Sequence, residues 1–455
     1  MSTTQIELHE TTNIRTEGSH RTIGLSQEHP TTAPNSIPEQ DDAVPEGGYG
    51  WVVVSACAVI AWWFIGITYS WGIIQARLVT EGVSEASTLS LVGSLTVACI
   101  AVLAIVNARI VTSIGARKLG LLGISLLGLG EILGGFATHN VGGLFATVGV
   151  LMGIGTSMCF MTVSVLPPQY FRRKRGLANG IVFAAGGLGG AAISLFSDRL
   201  LDKVGSAWTL RITGLMTLAT GLPAACLIQE RAPVKRTTFV DWTLFKSLRF
   251  VLLFASGIIA TFPLFVPPFF LPLYCQSLGL KSSTGAIAVA VFNFSSALGR
   301  IVFGLLCDYL GPLNMLVVIL FAAGMSMLVL WPLSNSLAPL IAFTIWNGVS
   351  SGAFFAIMPT VVGSVFGTQK VPVVMVCITL PPRAFFNGMV VTGWTGGYLM
   401  GGPIAGYMLQ AYGGAENGTA AFRPAMFYAG SMSVGAAILV ATMRLRMDRR
   451  LLKKL

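Results

Sequence analysis

The chain has 455 residues, of which 54% are hydrophobic and 10% charged, and it carries a net charge of +11. Water-soluble globular domains carry about a quarter charged residues, so this composition excludes an ordinary soluble fold. The positive balance does not point to nucleic acid either, because the cations sit in short clusters between apolar runs and form no basic, aromatic-interleaved surface.

Residues 1–45 are rich in Thr, Ser, Glu, Gln and Pro and poor in aliphatics. Such a segment buries too little apolar area to offset chain entropy, and it is expected to be a disordered cytosolic tail. It lacks the basic start and apolar core of a signal peptide, so the first internal helix must direct insertion. That helix is expected from Trp51 to about Gln75. Five more apolar runs follow at 88–108, 119–138, 143–166, 177–197 and 208–228, then a polar stretch at 229–247. A second set of six lies near 249–276, 285–307, 313–333, 337–361, 385–410 and 422–443. Each is near the length of about twenty residues that spans hydrocarbon as a helix. The expected fold class is therefore an all-α membrane protein of twelve transmembrane helices in two six-helix bundles. The divisions are a tail (1–45), an N-terminal bundle (46–228), a central loop (229–247), a C-terminal bundle (248–443) and a basic tail (444–455).

Charge placement sets the orientation. With the N-terminus inside, the inner connections hold Arg109, Arg117 and Lys118, then Arg172, Arg173, Lys174 and Arg175, the central loop, and the cations after residue 443. The outer connections hold Arg77, Arg199, Lys203, Lys281 and Arg423, diluted by Glu81, Glu85, Asp198, Asp202 and Glu416. Cytosolic loops carry the excess of Lys and Arg, so both termini are expected inside, in the cell membrane or alternatively the vacuolar membrane. Asn417-Gly418-Thr419 then faces outward as a glycosylation candidate.

Four features bear on chemistry. Only His139 lies beyond the polar N-terminal tail, and the seven cysteines fall in or beside apolar runs without ligand spacing, so neither a metal nor a catalytic cluster is expected. No phosphate-loop motif is present, so no nucleotide or other cofactor is expected and the chain is not read as an enzyme. Ionisable groups inside spans are functional candidates. Glu131, mid-span in LGLGEILGG, is the proton-coupling candidate, with a helix–helix hydrogen bond as the structural alternative. Arg300 is the substrate-binding or gating candidate, while Tyr69, Asn293 and Asn347 are polar or aromatic cavity candidates that otherwise act as packing contacts. Finally, Pro263, Pro267, Pro268 and Pro272 predict a kinked seventh span.

Six spans, a basic loop and six more resemble the major facilitator superfamily, whose substrate site lies near the bilayer midplane between the halves. Two turns add to this. Gly299-Arg300 through Gly304 and Asp308-Tyr309-Leu310-Gly311 follows span eight, and Asn107-Ala108-Arg109 through Gly115-Ala116-Arg117-Lys118 follows span two without the acid. Asp308, Arg109, Arg117, Arg172 and Arg173 are candidates for a cytosolic latch between the halves, or for topology-setting charges alone.

Within the superfamily the chain resembles the monocarboxylate transporter family in its fungal branch. Glu46-Gly47-Gly48-Tyr49-Gly50-Trp51, Tyr170-Phe171-Arg172-Arg173 with Arg175-Gly176-Leu177-Ala178-Asn179-Gly180, and Gly401-Gly402-Pro403-Ile404-Ala405-Gly406 carry the resemblance. It implies alternating-access transport of a small or medium organic solute, a monocarboxylate-like or amphipathic anion, with protons as a candidate co-substrate. The branch also implies an alternative, export of a secondary metabolite or riboflavin-type transport; a solute sensor without flux is a further alternative. Arg300 matches the family's span-eight arginine, but Ser296 stands where its aspartate would be and Ile73 lies near the span-one lysine position. The implied partners are a small-molecule substrate and the lipid bilayer. Residues 376–387 interrupt the pattern before span eleven and read as an interfacial segment or a retained intron.

Overall fold

In the computed structural model, residues 47–171, 175–231, 246–366 and 393–447 are described, and every regular element among them is helical. Helix α1 (Tyr49–Thr80) is followed by α2 (Ala86–Val102) and α3 (Ala104–Ile114), a pair bent by 57° at Leu103. Then come α4 (Ala116–Gly134), α5 (Val141–Leu144) running through a π-helical segment into α6 (Met152–Val165), the short α7 (Pro167–Tyr170) and α8 (Arg175–Cys226). The second half holds α9 (Leu248–Thr261), α10 (Val266–Ser277), α11 (Ser282–Leu310), α12 (Pro312–Met325), α13 (Leu337–Phe366), α14 (Thr395–Ala411) and α15 (Arg423–Met447).

Eight of these segments are long and apolar enough to cross a membrane, or nine with the bent α2–α3 pair. One of the eight, within α8, covers two predicted spans, because Gly205 at φ 77° breaks the helix between them. A left-handed backbone is open to glycine without the Cβ clash that other residues suffer, so the break falls where the sequence has one. Gly115 at φ 87° and Gly311 at φ 84° make the α3–α4 and α11–α12 turns, the two glycine turns read from the sequence. The proline-rich seventh span is interrupted at residues 262–265, between α9 and α10, as a helix without its full hydrogen-bond ladder must be. The last helix continues past residue 443 to Met447. It buries Arg444, whose Nε donates to Asn314 Oδ1 at 2.7 Å.

Helix packing places α1 along α8, α4 between α8 and α6, α11 against α8 and α13, and α15 against α12 and α9. The two halves meet along three seams: α1 with α10, α2 with α14, and α8 with α11. Two ends of the assembly can be told apart. One, the terminal end, carries the start of α1, where Tyr49 donates to the Leu227 carbonyl at 2.7 Å and Trp51 rests 4.7 Å from the Phe171 ring. The other, the far end, carries the α1–α2 turn, where Arg77 pairs with Glu81 at 2.8 Å and Ser206 donates to the same carboxylate at 3.0 Å.

Candidate functional site

On the terminal-end side of the seams a pocket lies between the halves. The first half contributes Phe64, Ile65, Thr68 and Tyr69 from α1, Val97 and Ile100 from α2, Phe160 from α6 and Phe183 from α8. The second contributes Phe265, Arg300 from α11, Phe355 from α13, and Trp394 and Tyr398 at the start of α14. Eight of these thirteen side chains are aromatic and one is charged, so the wall suits a flat, apolar body with one anionic end.

Arg300 supplies that single charge. It is 4% exposed, its Nη1 donates to the Phe183 carbonyl across the α8–α11 seam at 2.5 Å, and its Nε has no acceptor among the described residues. The guanidinium carbon lies 5.6 Å from the Phe355 ring centre and 6.0 Å from that of Tyr69, within or near cation–π range. Among the described residues no carboxylate lies within ion-pair distance of it. The Tyr69 hydroxyl is likewise buried, with no hydrogen bond of good geometry among the described residues, and its ring packs 5.0 Å from Phe265. The Arg300 Nε–H and the Tyr69 hydroxyl are thus withdrawn from water, and a polar group left without a partner costs about 1–3 kcal/mol or more.

Beyond the cavity the seams close toward the far end. A Cβ on Gly72 of α1 would collide with the Pro268 carbonyl and Phe269, so the absence of one is what lets α1 and α10 touch backbone to backbone. Ser87 donates to Gln410 at 3.3 Å and Ser282 to Asp198 at 3.4 Å, both across the halves. These contacts join the halves at the far end, and the pocket lies on the terminal-end side of them.

The structure brings Tyr69 and Arg300 together. Asn293 lies two turns from Arg300 on α11, against Gly190 of α8, with its Nδ2 unpartnered. Asn347 is fully buried between α13 and the π-helical turn after α12, donating to Ser326 at 2.8 Å. Glu131 sits between α4 and α8, outside the cavity lining, and accepts from Thr217 at 3.2 Å. Arg109 and Arg117 are exposed at the terminal end, where the Arg117 backbone N–H donates to Glu230 at 3.0 Å. Asn417 is exposed at the far end and donates to the Tyr412 carbonyl at 3.1 Å. Arg172, Arg173 and residues 376–387 lie outside the described residues, as does the side chain of Asp308. The aromatic wall is what sequence reasoning missed. With 27 phenylalanines in the chain, nothing in the pattern separates ring positions facing a cavity from those facing lipid or core.

The family model described as Major Facilitator Superfamily matches residues 51–380. The chain belongs to the Major Facilitator Superfamily. As a member of it, the chain is a multi-pass integral membrane protein and a secondary transporter. A relative, the aspyridones efflux protein apdF of Emericella nidulans, is 26% identical over 90% of this chain and 81% of its own length. The agnestins efflux protein AgnL12 of Paecilomyces divaricatus is 25% identical over 84% of this chain and 85% of its own. Among solved structures, a variant of the nucleoside transporter NupG covers 86% of this chain and 99% of its own at a TM-score of 0.65. At 13% identity that likeness speaks for the superfamily fold alone.

Proposed function

We propose that this superfamily member exports an amphipathic organic anion with an aromatic or conjugated body, by alternating access between its two halves. The observation that carries the reading is Arg300, a buried guanidinium without a carboxylate partner among the described residues, set in a wall of rings. An anion reaching it satisfies a charge that the protein leaves open, while the rings bury the rest of the solute. The two relatives named as efflux proteins favour outward movement of a metabolite over monocarboxylate uptake.

Twelve spans in two bundles, 46–228 and 248–443, fit this mechanism, with both termini cytosolic and the cavity nearer the cytosolic end. The cell membrane is the expected location. The test is flux in proteoliposomes with lactate, benzoate and 1-naphthoate, with and without a pH gradient. Saturable transport of 1-naphthoate but not lactate is expected, and lost in Arg300→Gln. Lactate transport with 1-naphthoate excluded would overturn the reading.

A further inference from the structure

Among the described residues, three buried side chains outside the cavity lining, on helices that form the seams, keep polar atoms without partners. Gln75 of α1 is 0% exposed, and neither its Oε1 nor its Nε2 has a partner. Ser94 of α2 is 1% exposed, its hydroxyl is unpartnered, and it lies against Gly402 of α14, across the halves. Asn293 of α11 is 1% exposed, with an unpartnered Nδ2 that abuts Gly190 of α8, again across the halves. Gln75 shares its helix face with Gly72, three residues earlier, which meets α10.

All three lie on the far-end side of the cavity lining, on three different helices. At 1.5 Å rise per residue, Gln75 lies about 9 Å beyond Tyr69, Ser94 about 4.5 Å beyond Val97 and Asn293 about 10 Å beyond Arg300, all toward the far end. Side chains that serve only packing rarely leave such groups unsatisfied, since each costs about as much as a lost hydrogen bond. Leu at any of these positions would be cheaper if the seam never opened.

We infer that Gln75, Ser94 and Asn293 form a second, uncharged station on the exit route, which is sealed in this state and hydrogen-bonds hydroxyl, carbonyl or amide groups of the solute once the far end opens. The station has acceptors and donors but no cation, so it weakens the hold that Arg300 has on the anion and favours release. This inference rests on the export reading for its substrate, though not for its location.

Gln75→Cys, Ser94→Cys and Asn293→Cys, each made singly in the full chain in proteoliposomes, are treated with a small anionic methanethiosulfonate. Labelling is counted over that of the unsubstituted chain. All three are expected to label, and to stop labelling when Ser87→Cys and Gln410→Cys are joined by a short thiol cross-linker across the far end. No labelling, or labelling that survives the cross-link, overturns the placement on the exit route. In the second arm, Gln75→Leu and Asn293→Leu are expected to export 1-naphthoate about fivefold more slowly, the worth of one net hydrogen bond, with equilibrium binding to the cavity unchanged. Weakened binding equal to that of Arg300→Gln would make them part of the first site and overturn a separate station. If the cysteines label as expected while the wild-type chain neither binds nor moves 1-naphthoate, the export reading fails and the exit route stands.

Discussion

The ring of Trp51 lies 4.7 Å from that of Phe171 at an interplanar angle of 56°. The first closes the motif Glu46 to Trp51 and the second belongs to the motif that opens at Tyr170, so the two stretches that stood out in the sequence are two sides of one contact. Around it Tyr170 donates to the Gln229 carbonyl at 2.9 Å and the Arg231 backbone N–H donates to Gln169 at 3.1 Å. Together with the bond from Tyr49 to Leu227, these tie the start of α1, the short α7 and the exit of α8 into a clasp at the terminal end. A Cβ on Gly50 would meet Tyr170 at 2.9 Å, which accounts for a glycine there.

Phe171 is fully buried in this clasp, so Phe171→Ala is expected to cost about 3–5 kcal/mol of stability. Measured in a double-mutant cycle with Trp51→Ala, the coupling should be about 0.5–1.5 kcal/mol. Detergent thermal-shift midpoints give both values. A change in substrate preference with unaltered stability would instead assign the clasp to recognition.

Arg300 donates to a backbone carbonyl and has no carboxylate partner among the described residues, so its charge is open to a ligand. Arg300→Gln removes the charge and should weaken 1-naphthoate binding by about 1.5–3 kcal/mol, the worth of a charge-assisted bond. Arg300→Lys keeps the charge but not the planar fork, and should recover only part of that loss. Equilibrium binding to the purified protein measures both. Equal affinities in all three proteins would remove Arg300 from the site.

Gly72 meets the Pro268 carbonyl and Phe269 directly. Gly72→Val sets a side chain between two backbones, an overpacking of about 1–3 kcal/mol felt only when the far end is closed. The variant should fold yet favour the far-end-open state, seen as increased thiol labelling at Gln75→Cys and slowed export. Loss of folded protein would show that the contact matters in every state.

Glu131 has Thr217 as hydrogen-bond donor and no cation within ion-pair distance among the described residues, and it lies off the cavity. Glu131→Gln keeps an acceptor for Thr217 and is expected to transport at close to the wild-type rate. Glu131→Leu leaves that hydroxyl its bond to the Thr213 carbonyl alone and should lower stability by about 1 kcal/mol. Flux of the Gln variant with and without an imposed pH gradient is the measurement. Abolished proton-driven accumulation at unchanged binding would move Glu131 from packing to coupling.

What the residues declare on their own is the solvent and the punctuation. Apolar runs of helix-spanning length require lipid around them, and Gly115, Gly311 and Pro263 mark turns and a break because backbone geometry at glycine and proline is a local property. The value of Arg300 was readable too, since a charge inside such a run is costly wherever it falls.

The cavity was decided only by the fold. Whether Phe64, Phe160 or Phe355 faces a hollow, and whether Gln75 is buried, depends on helices brought together from distant parts of the chain. An apolar helix surrounded by hydrocarbon has no hydrophobic stripe to reveal its inner face, because lipid and protein core are equally apolar neighbours. The same physics that made the membrane obvious in the sequence concealed which side of each helix does the work.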